Sequence, residues 1–236
     1  MNKSKDLKTS DNDVNAFLRK LAATAPPTIA SRQQTARLLF AMDATASRAM
    51  LWRQACEIQA DMFQETTKLG NLSVQLAYYR GYAEFHACPW ATSATELLRE
   101  MSRVECLTGI TQIERVLTHA FAEQNKQRIQ AVVFVGDSVE EQPERLYERA
   151  GALAMHGIPI FMFQEGYEPL TEQVFRRIAT ITRGAYCHFD AGSAAQLRAL
   201  LVAVSQFVMK GRAALEQTKS SHPEIVQQLL QQLPNK

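Results

Sequence analysis

Two aspartates and three hydroxyls in this sequence stand where an oxygen-ligand site can be assembled. Asp43, Thr45 and Ser47 alternate directly after a short apolar run, so a carboxylate and two hydroxyls can turn toward one point. A second apolar run, Ala131 to Val135, leads into Gly136-Asp137-Ser138. Between them Thr108-Gly109-Ile110-Thr111 precedes a helical pattern and offers the Thr111 hydroxyl. A hard cation such as Mg²⁺ takes near-octahedral oxygen ligands at about 2.0–2.1 Å and usually keeps several waters. Asp43, Thr45, Ser47, Thr111 and Asp137 supply part of such a shell and leave room for an oxygen from elsewhere. Each also has an ordinary explanation. Thr111 and Glu114 have the form of a capping box, and Asp43 and Ser47 can cap the helix that follows them.

No other cluster of ligand types competes. Cys56, Cys88, Cys106 and Cys187 lack zinc-site spacing and are expected as free thiols. His86, His119, His156, His188 and His222 show no ligand spacing either, and His86 and His188 fall within strand patterns. Tyr78, Tyr79, Tyr82 and Trp90 are expected to pack on a sheet face, and Glu140-Glu141 to be a solvated loop.

The elements that must hold the aspartates follow from periodicity. Leu38 to Met42 is expected to be a strand buried on both faces. A helix should follow over about 48–67, with Met50, Leu51, Ile58, Met62 and Phe63 on its core side. Leu72 to Tyr79 alternates with period two, and a turn at Arg80-Gly81 leads into a second strand from Tyr82, giving a hairpin. Ser93 and Glu96 form a capping box before a helix through Met101. Another helix runs through Val116, Leu117 and Phe121. After the 131–135 strand come a helix from Pro143 to His156, stopped by Gly157, and a strand over 158–163. A helix near 171–183, a short strand over 185–189 and a helix capped by Ser193 complete the order. Strands alternating with helices predict a doubly wound α/β fold. Its sheet should be six-stranded and mostly parallel, with one antiparallel edge strand and helices on both faces.

Composition limits the remaining classes. With 46% hydrophobic residues the chain can build a core, and 26 basic against 24 acidic residues provide no electrostatic footprint for nucleic acid or an anionic membrane. The N-terminus never reaches the apolar stretch of a secretory signal, and no run approaches a membrane span. A cytoplasmic location is the expectation. Residues 1–34 read as a polar tail, 35–210 as the domain, and 211–236 as a polar, glutamine-rich tail with a helical pattern.

Asp43-x-Thr45-x-Ser47, then Thr111, then Asp137, resembles the metal-ion-dependent adhesion site of von Willebrand factor A-type (VWA) domains. Thr45 stands where a serine is usual, Ser138 where a glycine is usual, and Arg48 adjoins Ser47. The resemblance covers roughly residues 35–208. It implies an interaction module that holds Mg²⁺ (or Mn²⁺ or Ca²⁺) through Asp43, Thr45, Ser47 and Thr111, with Asp137 mostly a step further out. A partner's Glu or Asp would complete the coordination, in the manner of cytoplasmic relatives that work beside ATPases. Arg48 would pair with Asp43 or meet that acidic partner. Two other readings remain. One is a Mg²⁺-dependent phosphotransferase of the haloacid dehalogenase type, with Asp43 as nucleophile; it needs a placed lysine, and Lys126 is the only one between residues 69 and 209. The other is a metal-free scaffold.

Overall fold

The computed structural model describes residues 16, 20, 35–57, 71–189 and 194–210. The expected tails lie almost wholly outside them, as do Ile58, Met62, Phe63 and the Ser193 cap. Six strands form one sheet: β1 (Ala36–Asp43), β2 (Leu72–Arg80), β3 (Glu84–Ala91), β4 (Ala131–Gly136), β5 (Ile160–Glu165) and β6 (Tyr186–Phe189). Their order is β3-β2-β1-β4-β5-β6, and every neighbouring pair is parallel except β2 with β3. This is the doubly wound sheet with an antiparallel edge strand that the residue pattern predicts.

Helices cover both faces. A 3₁₀ turn, Ala46–Arg48, runs into α1, helical over residues 49–57. The others are α2 (Ala94–Met101), α3 (Ile113–Lys126), α4 (Pro143–Met155), α5 (Pro169–Ile181) and α6 (Ala194–Lys210). Alternate residues of each strand point to opposite faces. Leu38, Phe40 and Met42 of β1 therefore join Leu51 and Trp52 of α1, Leu97 of α2 and Val204 of α6. Leu39 and Ala41 join Val116 of α3, Leu146 of α4 and Phe175 of α5 on the other side. Two separate cores result, one on each side of the sheet.

Several local expectations change. β2 alternates in hydropathy, yet its first six residues are all buried because helices cover both faces. Met50, expected in the core, is 63% exposed, while Leu51 and Trp52 face inward. The second hairpin strand starts at Glu84 and not Tyr82, since the turn takes Gly81 to Ala83. β5 lies two residues later than the apolar run suggests, because its pairing with β4 carries it through Glu165. α5 begins earlier, at Pro169, where Glu168 caps it by accepting from Leu170 N and Thr171 N. Ser93 caps α2 as expected, and Glu96 reaches back to the Thr92 N–H at 2.7 Å.

At the amino end of β1 a buried cation is fully engaged. Arg37 donates to the Gln127 carbonyl at 2.6 Å and to Glu123 at 3.0 Å, with its guanidinium 3.8 Å from the centre of the Trp90 ring. Trp90 and Lys126 also donate to Glu123, at 3.0 and 2.8 Å. This network ties β1 and β3 to the end of α3. Removing one member of a buried pair strands the other charge. Glu123→Ala should therefore cost about 3–5 kcal/mol of stability, read from urea unfolding, and Lys126→Ala far less, because that ammonium is exposed.

Candidate functional site

In an open α/β sheet the ligand crevice lies beyond the carboxyl ends of the strands where the chain reverses its winding. Here that point falls between β1 and β4: from β1 the chain moves outward through β2 to β3, then returns to β4 on the other side. β1 and β4 pair from Leu38 opposite Ala131 to Met42 opposite Val135. Asp43 and Gly136 come next on each strand, and Asp137 follows at once. A side chain at Gly136 would lie 2.8 Å from the Phe134 ring two residues back on the same strand, so a larger residue would have to displace that ring, while Asp43 Cβ at 3.8 Å is an ordinary contact.

Hydrogen bonds connect four of the five residues singled out in the sequence. Asp43 is 1% exposed; its Oδ1 accepts the Thr45 N–H at 2.7 Å and its Oδ2 the Tyr79 hydroxyl at 3.1 Å. Thr45 Oγ1 and Ser47 Oγ lie 3.3 Å apart, and Ser47 Oγ donates to Asp137 Oδ2 at 3.2 Å. Burial, foremost, pushes the Asp43 carboxyl above its ordinary pKa, and the neighbouring Asp137 charge adds to the rise. The Thr45 hydrogen bonds and Arg48 pull the other way. Ala44 is pinned on both sides, donating to Tyr79 O at 2.9 Å and accepting from Leu107 N at 3.1 Å, which fixes how the chain leaves β1.

Thr111 is held differently. It is 3% exposed; its hydroxyl donates to Glu141 at 2.8 Å and accepts from Glu140 N at 2.9 Å, and its N–H donates to Glu140 at 2.8 Å. The expected Thr111–Glu114 capping box does not form. Gln112 occupies the cap position without a side-chain bond, and the Glu141 carboxylate instead accepts the Glu114 N–H at 2.8 Å. Glu140 is exposed and Glu141 half-buried, but the pair is more than a solvated loop: both bind the 108–111 loop to the loop after β4, at the amino end of α3. Burial is the main cause of the raised Glu141 pKa. The same loop is braced against the hairpin. Ile110 N donates to Gly81 O at 3.1 Å, and a side chain at Gly109 would strike that carbonyl at 1.9 Å.

Among the described residues Arg48 forms no ion pair with Asp43. It is 2% exposed, and its Nη1 contacts both Asp137 Oδ2, at 3.3 Å, and Glu165 at the end of β5. The 3₁₀ turn at 46–48 directs the side chain inward, toward the ends of β4 and β5. Glu165 and Tyr79 are the site residues that the sequence did not reveal. Tyr79 packs in the core against Phe134 as expected, and its hydroxyl also orients Asp43. Glu165 lay beyond the apolar run taken for its strand; the one available signal was that parallel neighbours end at similar heights.

The donors suit a hard cation. Adjacent oxygens of an octahedral ion with bonds of about 2.1 Å lie roughly 3.0 Å apart. The Thr45–Ser47 and Ser47–Asp137 oxygen separations of 3.3 and 3.2 Å approach that spacing. Among the described residues no three His, Cys, Asp or Glu side chains gather as a metal cluster. The grouping consists of two carboxylates joined by hydroxyls, and the third carboxylate nearby is taken by Arg48.

No family profile and no curated protein matches the chain in sequence. Solved structures do match its fold. A von Willebrand factor type A protein from Catenulispora acidiphila aligns with TM-score 0.56 and 14% identity over 75% of this chain and 43% of its own. Proximal thread matrix protein 1 of the mussel byssus, with a zinc-occupied metal-ion-dependent adhesion site, aligns with TM-score 0.57 and 14% identity over 72% and 46%. The SpRpn10 VWA domain aligns with TM-score 0.52 and 14% identity over 72% and 94%. The chain thus spans under half the length of the first two. It has the VWA fold.

Thr111→Ala should remove a buried hydroxyl bonded to a carboxylate, at a cost of about 1.5–3 kcal/mol. Thr111→Ser should retain most of that. Chemical denaturation of the two variants measures the difference.

Proposed function

We propose that this chain is a VWA-type interaction module whose Asp43, Thr45, Ser47 and Asp137 hold a divalent cation, Mg²⁺ by donor chemistry, at the β1/β4 crevice. The observation that carries the reading is the run of oxygens at octahedral-edge spacing at the point where the sheet reverses its winding. Thr111 is proposed as a further contributor, reached through the loop that Glu140 and Glu141 hold in place. A bound divalent ion supplies concentrated positive charge that a carboxylate from another protein can complete. The chain's own part is positional. Tyr79 and the Thr45 N–H fix the Asp43 carboxylate, the pinned Ala44 sets the height of Thr45 and Ser47, and the β4 register places Asp137 opposite. The proposed partner therefore presents Glu or Asp, in a cytoplasmic setting.

The phosphotransferase reading has less support. Lys126 sits at the carboxyl end of α3, beside the amino end of β1 and so at the opposite end of the strands from the crevice, and its ammonium is bound to Glu123 at 2.8 Å. Among the described residues no helix is long and apolar enough to cross a membrane.

Calorimetric titration with Mg²⁺ or Mn²⁺ tests the proposal. Wild type should bind one ion, and Asp43→Ala should bind none while keeping its circular dichroism, since removing a strand-end carboxylate opens little core. Partner capture should need the cation and be reversed by EDTA. Equal indifference of both proteins to millimolar metal would leave a metal-free scaffold.

A further inference from the structure

At the β1/β4 crevice a side chain already occupies part of the place of a cation. Carboxylates stand at the ends of three neighbouring strands: Asp43 on β1, Asp137 just after β4 and Glu165 on β5. One guanidinium stands among them, and its Nη1 contacts Asp137 Oδ2 and Glu165 together. The Asp137 oxygen that Arg48 contacts is also the one that accepts the Ser47 hydroxyl, and so belongs to the oxygens at octahedral-edge spacing.

The guanidinium is held by charge and not by a full set of hydrogen bonds. Its Nε and Nη2 are buried without a partner among the described residues, although the side chain is almost completely enclosed. Buried donors without acceptors weaken a pose. Arg48 thus sits in a place that attracts cations but does not fit a guanidinium well. Glu165 is the group that keeps it there: it is half as exposed as Asp137, at 13% against 26% of the side chain.

We infer that Arg48 is a built-in competitor for the cation site, drawn by Glu165 onto the Asp137 oxygen that a divalent ion would use. This rests on the reading that Asp43, Thr45, Ser47 and Asp137 take such an ion. Metal affinity is then set by the Arg48–Glu165 pair as well as by the ligands. Binding needs Arg48 to withdraw from Asp137, and anything that draws the guanidinium wholly onto Glu165 strengthens it.

The test is Mn²⁺ calorimetry on the full chain, with circular dichroism and melting in EDTA confirming that each variant folds. Arg48→Ala should bind Mn²⁺ about tenfold or more tightly than wild type, because a nearby like charge and a rival for one oxygen both go. In that variant millimolar guanidinium chloride should weaken binding back toward the wild-type value, while sodium chloride at equal ionic strength should not. Arg48→Lys keeps the charge but shortens the reach. It should fall between the two, and it serves alone if Arg48→Ala does not fold. If wild type binds Mn²⁺ and neither folded variant binds it more tightly, the competition is overturned while the metal reading stands. If wild type and both folded variants fail to bind, the metal reading itself falls.

Discussion

The parallel pairing of β1 with β4 carries the rest of this structure. Because β1 sits beside both β2 and β4, the chain must leave it in one direction and come back on the other side. The two strands then end together. A register that sets Met42 opposite Val135 leaves Asp43 beside Gly136. A one-residue slip in this pairing would turn every core residue of one strand to the other face. The two hydrophobic cores that fix the register therefore also fix where the carboxylates stand.

Placing carboxylates at such a point creates an electrostatic problem, and most of the polar contacts around the crevice address it. Asp43 is almost fully buried and receives a backbone N–H and the Tyr79 hydroxyl. Tyr79 is itself enclosed, and burial chiefly, together with the Asp43 charge, holds its phenol well above its ordinary pKa, so it remains a donor. Glu141, raised mainly by burial, is satisfied by the amino end of α3 and the Thr111 hydroxyl. Unpaired negative charges here would be costly; each carboxylate is met by a donor placed by a different element.

How far the sequence revealed all this depends on the range of the interaction. The succession of strands and helices among the described residues follows from periodicity, because each element signals its own burial. Asp43, Thr45, Ser47 and Asp137 were also legible, since they follow apolar runs and strand ends are where ligands gather. What was hidden depends on pairs distant in the chain. The hydroxyl of Tyr79 is one aromatic among several until β2 is set beside β1. The cap of α3 comes from Glu141, 27 residues beyond the N–H it accepts, whereas the local Thr111–Glu114 pattern suggested itself first. Arg48 announced a charge next to Ser47 but not its direction, because a 3₁₀ turn and an α-helix starting at the same residue point that side chain to different places.

Two buried arginines at opposite ends of β1 show how burial alone fails to distinguish scaffold from site. Arg37 puts both terminal nitrogens on acceptors and lies against the Trp90 ring, and Glu123, its carboxylate, has further donors of its own. Such a closed network has one arrangement and gains nothing by changing it. Arg48 uses a single nitrogen for two carboxylates and leaves two nitrogens without acceptors among the described residues. A protein that needed only stability would have replaced it with an apolar side chain, since half-satisfied buried charge is inferior to well-packed hydrocarbon. Departures from local consistency concentrate where a second state matters. The carboxyl edge of β1, β4 and β5 is that place in this fold, and Arg48 is the group there with the weakest claim to its position.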